Sequence, residues 1–161
     1  MDNAPFHRLF TATCGRIRLV TVLEIRQFVE TDRAAVIALW ESCSLLRSWN
    51  DPDRDIDRKI TRDPEGFLIG EFDGRVVAAA MAGYDGHRGW VNYLAVHPEV
   101  GGSGFGRTMM EAAEKHLVEL GCPKINIQVR GSNADAIAFY EQIGFSRDDV
   151  VSLGKRLIPD Q

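Results

Sequence analysis

The sequence predicts an α/β (α+β) domain in which helices pack against a mixed sheet. Apolar residues recur with a period of 2 in several short runs, and runs with a helical period of 3.6 lie between them. The chain has 161 residues, which is enough for one domain with a sizeable core. The expected order is strand, two helices, three strands, helix, strand, helix and a last strand.

Composition excludes several broad classes of protein. The formal net charge is −4, so a general nucleic-acid-binding surface is not indicated, and no apolar run approaches the length of a membrane span. Cys14, Cys43 and Cys122 form no metal-ligand pattern, and we expect no metal. Without a clear signal peptide, we expect a cytoplasmic protein.

The first part of the chain predicts two helices after a short strand. Residues 1–21 show no sustained period, so we expect a flexible N-terminal extension there and a single domain over residues 22–161. A strand is predicted over residues 22–28 and a helix over residues 30–46. Pro52 suits the first turn of a second helix that runs to Arg62.

The remaining elements are marked by turn residues. Asp73-Gly74 is a hairpin signal between two apolar runs, and Pro98 ends the next strand. A helix is predicted from Gly104 to Leu120. A strand at residues 124–130, a helix capped by Ser132 or Asn133, and a strand at residues 150–158 complete the list, all inferred from the same signals.

Four glycines within residues 101–106, "GGSGFG", separate the fourth predicted strand from the helix at Gly104. Glycines let backbone N–H groups approach a ligand that side chains would block. The positive N-terminal end of the helix points into the same space. The segment therefore predicts an anion site, and phosphate is the anion that fits best.

Two common phosphate-binding motifs fit this loop poorly. The dinucleotide fingerprint fails because Gly102, Gly104 and Gly106 are each two residues apart. The P-loop pattern is matched at Gly101, Gly106 and Thr108, but Arg107 stands where the lysine should be. The strand at residues 124–130 also ends without a metal-binding aspartate. A nucleotide triphosphatase is an alternative that these departures disfavour.

Two motifs together resemble the GNAT family of N-acetyltransferases. Its coenzyme-A motif [Q/R]-x-x-G-x-[G/A] lies between a strand and a helix, and Gly104 and Gly106 match its second half. A later signature, N-x-x-A-x-x-x-Y-x-x-x-G-F, fits residues 133–145 in register. Residues 50–59 and 84–89 further resemble a bacterial subgroup whose acceptor we cannot name. One departure is Gly101, where the family usually has Gln or Arg.

The resemblance implies a mostly antiparallel central sheet with two splayed strands that form a slot for acyl-CoA. Acetyl-CoA would be the co-substrate, held by the glycine loop, the preceding strand and the last helix. The implied cofactor-binding residues are Leu94, Ala95, Val96, Gly101, Gly102, Ser103, Gly104, Phe105, Gly106, Arg107, Asn133, Ala136 and Tyr140. Arg107 is a candidate to replace the charge that Gly101 lacks.

The implied reaction is direct attack of an amine on the thioester, with Tyr140 as general acid for the departing thiolate. Asp85 and His87 are the nearest titratable candidates for a base, although "YDGHRG" also reads as an ordinary surface turn. Trp49, Asn50 and Asp51 are candidates for binding the acceptor, a small-molecule or peptide amine. A non-catalytic acyl-CoA-binding module is the alternative, and a homodimer through the last strands is expected.

Overall fold

The computed structural model describes residues 22–159, and the predicted extension at residues 1–21 lies outside the described residues. The strands are Glu24–Gln27 (β1), Phe67–Phe72 (β2), Arg75–Tyr84 (β3), Gly89–Val96 (β4) and Ile125–Asn126 (β5). The α-helices are Arg33–Ser42 (α1), Pro52–Arg62 (α2), Phe105–Glu119 (α3) and Ala134–Gln142 (α4). Short 3-10 turns occupy Glu30–Asp32 and Pro98–Val100.

The strands form one sheet in the order β1-β2-β3-β4-β5. The first three pairings are antiparallel and the pairing of β4 with β5 is parallel, so the predicted mostly antiparallel sheet is confirmed. Asp73 and Gly74 both have positive φ, 52° and 69°. Two such residues make a type I′ turn, whose twist matches the hairpin that the sequence predicts.

Each face of the sheet carries its own apolar core. On one face α3 buries Phe105, Met109, Met110, Ala113 and Leu117 against β2, β3 and β4. On the other face α1 and α2 bury a second cluster around Trp40, Phe67 and Ile56, all three fully buried. The spacing of the α3 residues is the helical period that the sequence predicts.

Of the two strands predicted near the C-terminus, the first is much shorter than predicted and the second does not form. Only Ile125–Asn126 of residues 124–130 is a strand, and residues 150–158 contain none. Gln128 Nε2 of the first segment lies 2.6 Å from Ser152 Oγ of the second. Lys124 Nζ lies 2.6 Å from the carboxylate of Asp148, two residues before the second segment. Without a backbone ladder, the apolar side chains of residues 150–158 stay exposed, and the homodimer stays a prediction.

Residues 22–159 contain neither a membrane-spanning helix nor a cluster of metal-binding side chains. In that range, none of the helices has the length and apolar character that crossing a membrane requires. The same range brings together no group of three or more His, Cys, Asp or Glu side chains that could hold a metal ion.

A half-buried ion pair joins the start of the sheet to the start of α1. Arg26 of β1 donates two hydrogen bonds to the Asp32 carboxylate, at 2.6 and 2.9 Å, and others to Glu71 of β2. Asp32 is only 6% exposed and also accepts from the Val29 N–H. Hydrogen bonds from Arg26 hold the pKa of Asp32 below its usual range.

Replacing Asp32 with Asn should therefore cost stability that depends on pH. At pH 7 the variant Asp32→Asn should lose about 2 kcal/mol of unfolding free energy, because a buried charge-assisted bond is removed. The folded-state pKa of Asp32 is depressed, so this stabilisation is present above the unfolded pKa of about 3.9 and disappears as the pH falls through the folded pKa. Urea unfolding at pH 7 and near pH 3 measures the difference. The exposed Glu30→Gln is the control, and an equal loss in both variants would contradict the assignment.

Candidate active site

The parallel pairing between β4 and β5 ends almost as soon as it begins. Gly89 pairs with Ile125 and Trp90 pairs with Asn126, and no further pair follows. A Cβ on Gly89 would lie 2.8 Å from Cys122 Sγ, so the glycine permits the close approach that starts the pairing. From Val91 to Val96, no strand within residues 22–159 pairs with the outer edge of β4. This opening is the splay that the resemblance implies.

Two residues at the end of β4 direct their backbone groups into the opening. The His97 N–H donates to the Val77 carbonyl of β3. Because successive residues of a strand alternate in direction, Ala95 faces β3, whereas Leu94 and Val96 face the open edge. The Cys43 thiol reaches the Val96 carbonyl at 3.3 Å, which agrees with that orientation.

The glycine loop lies at the end of this edge and ends at the N-terminus of α3. Gly102 and Gly104 have φ of 77° and 84°, a region that favours glycine. Among the described residues, no acceptor is found for the N–H groups of Gly102, Gly104, Phe105, Gly106 and Arg107. Ser103 is exposed and its N–H donates to Val100. The loop thus presents a set of unpaired donors at the positive end of a helix, as an anion requires.

Two of the predicted loop residues contribute backbone or space rather than side chains. Phe105 is buried and its ring lies 5.4 Å from that of Phe72, so only its N–H is free for a ligand. A Cβ on Gly106 would lie 3.2 Å from the ring of Phe139. The missing side chain therefore lets α4 pack directly on the first turn of α3.

The charge expected from Arg107 is directed toward α4. Arg107 is exposed on the first turn of α3, and its Nη2 lies 3.4 Å from the Gln142 carbonyl at the end of α4. Gly101 has φ −56° and ψ 143°, a conformation open to any residue. A Cβ there would lie 3.1 Å from the Pro98 carbonyl, which requires only a small shift of the loop. Backbone geometry therefore does not explain why the chain lacks the usual Gln or Arg.

Tyr140 projects from α4 in a mostly apolar setting. Its ring contacts those of Phe139 and Phe145, at centroid distances of 5.1 and 5.6 Å. Burial raises the pKa of Tyr140 to about 12, so the phenol stays protonated at neutral pH. The residue lines a cleft of about 1350 Å³ between residues 124–131 and 145–153. Asn133 and Ala136 shape the start of the same helix, since Asn133 Oδ1 accepts from the Ala136 N–H at 3.2 Å.

The candidate bases lie in the exposed turn between β3 and β4. Asp85 Oδ1 accepts from the N–H groups of His87 and Arg88, each at 2.7 Å, and Asp85 Oδ2 accepts from Trp90 Nε1. These donors, the Arg88 N–H first, lower the pKa of Asp85, which makes it a weaker base. The contribution of His87 to this turn is its backbone N–H, which donates to Asp85. The identity of the base stays a prediction. The hydrogen bonds that Asp85 accepts do not favour it as that base.

The predicted acceptor-binding residues have distinct environments. Trp49 is 52% exposed in the loop between α1 and α2. Asp51 caps α2 by accepting from the Arg54 N–H, and Asn50 Nδ2 donates to the Tyr93 hydroxyl at 3.1 Å. Tyr93 was not anticipated as part of this site. Nothing in the neighbouring sequence signals it, since its position depends on an irregularity in the pairing of β4 with β3.

Family and sequence comparisons agree on one group of proteins. A model of the acetyltransferase (GNAT) family matches residues 33–145. An acetyltransferase of Yersinia enterocolitica is 50% identical over 139 residues, which cover 86% of this chain and 99% of that protein. An acetyltransferase of Sodalis glossinidius is 51% identical over 140 residues, with the same coverage.

Solved structures share the fold at lower identity. The aminoglycoside acetyltransferase AAC(6')-Iy, in complex with a bisubstrate analogue that contains CoA, has a TM-score of 0.70 at 18% identity, covering 85% of this chain and 100% of that chain. Glucosamine-6-phosphate N-acetyltransferase from Arabidopsis thaliana has a TM-score of 0.62 at 20% identity, with 85% and 99% covered. At these identities the likeness supports the fold.

Adding a side chain to a glycine should lower the free energy of unfolding where that glycine has a positive φ, as in the glycine loop. Gly104→Ala should lower the free energy of unfolding by about 1–2 kcal/mol, because alanine must adopt a left-handed φ. Gly131→Ala is the matched control, since a Cβ there meets no atom within 4 Å and φ is not positive. Thermal unfolding of both variants measures the difference. Equal stability of the two would mean that the loop does not hold the φ described.

Proposed function

Since the chain belongs to the GNAT family of acetyltransferases, we propose that it transfers an acetyl group from acetyl-CoA to an amine by direct attack. The observation that carries the donor assignment is the row of five N–H groups without acceptors at the N-terminus of α3. These groups suit the pyrophosphate of coenzyme A, a doubly charged anion that prefers a helix N-terminus.

The pantetheine arm of acetyl-CoA would lie along the open edge of β4. Val96 would offer its N–H to amides of the arm, as a neighbouring strand would. Its carbonyl, which also accepts from the Cys43 thiol, has a second lone pair for the arm. This places the thioester near Leu94, whose N–H also faces the edge. That N–H would donate to the carbonyl oxygen as it gains negative charge. Ala95 is 2% exposed and serves to fill the core.

The chemical step needs a nucleophile, a donor for the oxygen and an acid. The neutral amine attacks the thioester carbon, the C–S bond breaks, and the departing sulfur takes the proton of the Tyr140 hydroxyl. The apolar surroundings that raise the pKa of Tyr140 keep that proton in place before the reaction. The amine loses its own proton to water or a base, and solvent then restores the phenol.

The acceptor would approach from the side of α1 and α2. Aminoglycoside acetyltransferases among the structural neighbours indicate small-molecule amines, and a peptide amine has the same reacting group. Trp49 offers an exposed aromatic surface there. The Asp51 carboxylate, which also pairs with Arg54, would attract an ammonium group. Asn50, whose Oδ1 accepts from Arg156, adjoins it. An acceptor with several amines or hydroxyls suits such a surface.

A non-catalytic acyl-CoA-binding module is the second candidate, favoured by the glycine at position 101. Calorimetric titration with acetyl-CoA, with ATP and magnesium as the control, tests the donor assignment for both candidates. A screen of amines for thiol release then separates them. Binding without turnover on any amine class favours the module, and the absence of binding up to millimolar acetyl-CoA contradicts both.

Replacing the hydroxyl of Tyr140 should affect the chemistry more than the binding. In Tyr140→Phe, kcat for thiol release should fall at least about 100-fold, since a general acid contributes that much. The dissociation constant for acetyl-CoA should change less than twofold. Tyr84→Phe, which makes the same change at the end of β3, is the control. An unchanged kcat in Tyr140→Phe would remove Tyr140 from the mechanism.

Adding a basic residue at position 101 should strengthen donor binding. Gly101→Arg should lower the dissociation constant for acetyl-CoA about tenfold, because a charge-assisted hydrogen bond to phosphate is gained. Gly101→Ala tests the effect of the Cβ alone and should leave affinity within twofold. Calorimetry at 50 and 200 mM salt checks the ionic origin of the gain. The same affinity in Arg and Ala variants would place the phosphates elsewhere.

A further inference from the structure

Strand β4 carries one more residue than the strand it pairs with. Ala79 pairs with Ala95 and Met81 pairs with Asn92, so Ala80 alone lies opposite both Tyr93 and Leu94. Tyr93 has φ of 52°. A bulky residue rarely adopts a left-handed conformation, because its Cβ crowds the backbone. Something outside the strand must therefore hold Tyr93 in place.

The extra residue changes which face each side chain occupies. Val91 and Leu94 both pack toward α3. In a regular strand, two residues that are three positions apart would face opposite sides of the sheet. Tyr93 packs on the other face, with α1 and α2. The conformation at Tyr93 thus determines where the Leu94 N–H points, the group that donates to the thioester carbonyl in the proposed reaction.

Contacts from three separate segments fix the Tyr93 side chain. Its ring stacks on Trp40 of α1, with centroids 4.2 Å apart and planes at 22°, and Trp40 is fully buried. Its hydroxyl donates to Asp55 of α2 at 2.6 Å and accepts from Asn50. Asp55 also lies 3.0 Å from Arg58.

Helix α2 is itself attached to the sheet near these contacts. Lys59, one turn after Asp55, donates to the Ala82 carbonyl of β3 and to the Asp63 carboxylate. Lys59 is mostly buried, with 11% of its side chain exposed. Asp55 is therefore presented to Tyr93 from a helix that is anchored to the strand beside β4.

We propose that Tyr93 is a positioning residue, whose stacking on Trp40 and hydrogen bond to Asp55 hold the irregular turn of β4 so that the Leu94 N–H points at the thioester carbonyl. This inference rests on the proposed function. Tyr93 touches neither acetyl-CoA nor the acceptor in this scheme. It acts through the backbone of the residue that follows it.

The test compares two ligands that differ only in the group that Leu94 would contact. Acetyl-CoA has the thioester carbonyl and CoA lacks it. Tyr93→Phe keeps the ring stacked on Trp40 and removes the hydroxyl bonds. We expect acetyl-CoA to bind about fivefold more weakly to this variant, the loss of roughly one hydrogen bond, and CoA to bind within twofold of the wild type. Calorimetry with each ligand measures the ratio.

A spectroscopic signature reports on the same bond. With ¹³C at the acetyl carbonyl, the resonance of bound acetyl-CoA should lie downfield of the free ligand in the wild type and move back toward it in Tyr93→Phe. Tyr84→Phe is the matched control and should leave both the ratio and the resonance unchanged. A role limited to stability would lower the melting temperature without moving the resonance.

A second variant approaches the contact from the other side and keeps the test open if Tyr93→Phe folds poorly. Asp55→Leu removes the acceptor and should reproduce the selective loss of acetyl-CoA affinity. The double variant should lose no more than Tyr93→Phe alone, because Asp55→Leu removes a bond that Tyr93→Phe has already removed. Equal weakening of CoA and acetyl-CoA, or no weakening of either, overturns the inference. If the wild type binds neither ligand, the proposed function fails, and this inference fails with it.

Discussion

Strand β4 is hydrogen-bonded to β3 along most of its length and to β5 over only two residue pairs, and this imbalance shapes the rest of the site. Backbone N–H and carbonyl groups need partners wherever water is excluded. In the proposed function, the open edge of β4 would therefore bind a ligand that carries amides of its own. The glycine loop continues this edge into the N-terminus of α3, so the same ligand would meet amides along the strand and N–H groups suited to an anion at its end.

The proposed reaction needs an acid close to the open edge of β4. The absence of a side chain at Gly106 lets α4, which carries Tyr140, pack close to α3. Phe139 packs on the first turn of α3 where a Cβ would crowd it, and Tyr140 follows on the same helix. The apolar rings around Tyr140 raise the pKa of its hydroxyl to about 12, which suits a group that must still hold its proton when a thiolate departs. The contact between α3 and α4 thus places Tyr140, and the neighbouring rings of Phe139 and Phe145 set its pKa.

Local signals predicted the hairpin at Asp73-Gly74 and the helix after the glycine loop, because each depends on residues within a few positions. Tyr93 could not be predicted, since the extra residue in β4 appears only when β4 is aligned with β3. The β-branched segment at residues 150–158 has the composition of a strand but no backbone ladder, and strand preference depends on that context. The motif around Asp85 allowed either a titratable base or a surface turn, and the Asp85 carboxylate accepts hydrogen bonds from two N–H groups of that turn.

The irregularity in β4 also connects the two sides of the sheet. In a regular strand, side chains facing α1 and α2 would have little influence on amides at the opposite edge. Here Tyr93, which is held by Trp40 and Asp55, comes directly before Leu94, whose N–H would face the thioester in the proposed reaction. A shift of α2 would therefore reach the Leu94 amide through one peptide unit. In the proposed reaction, the packing of α1 and α2 on Tyr93 would thereby influence the alignment of the donor carbonyl.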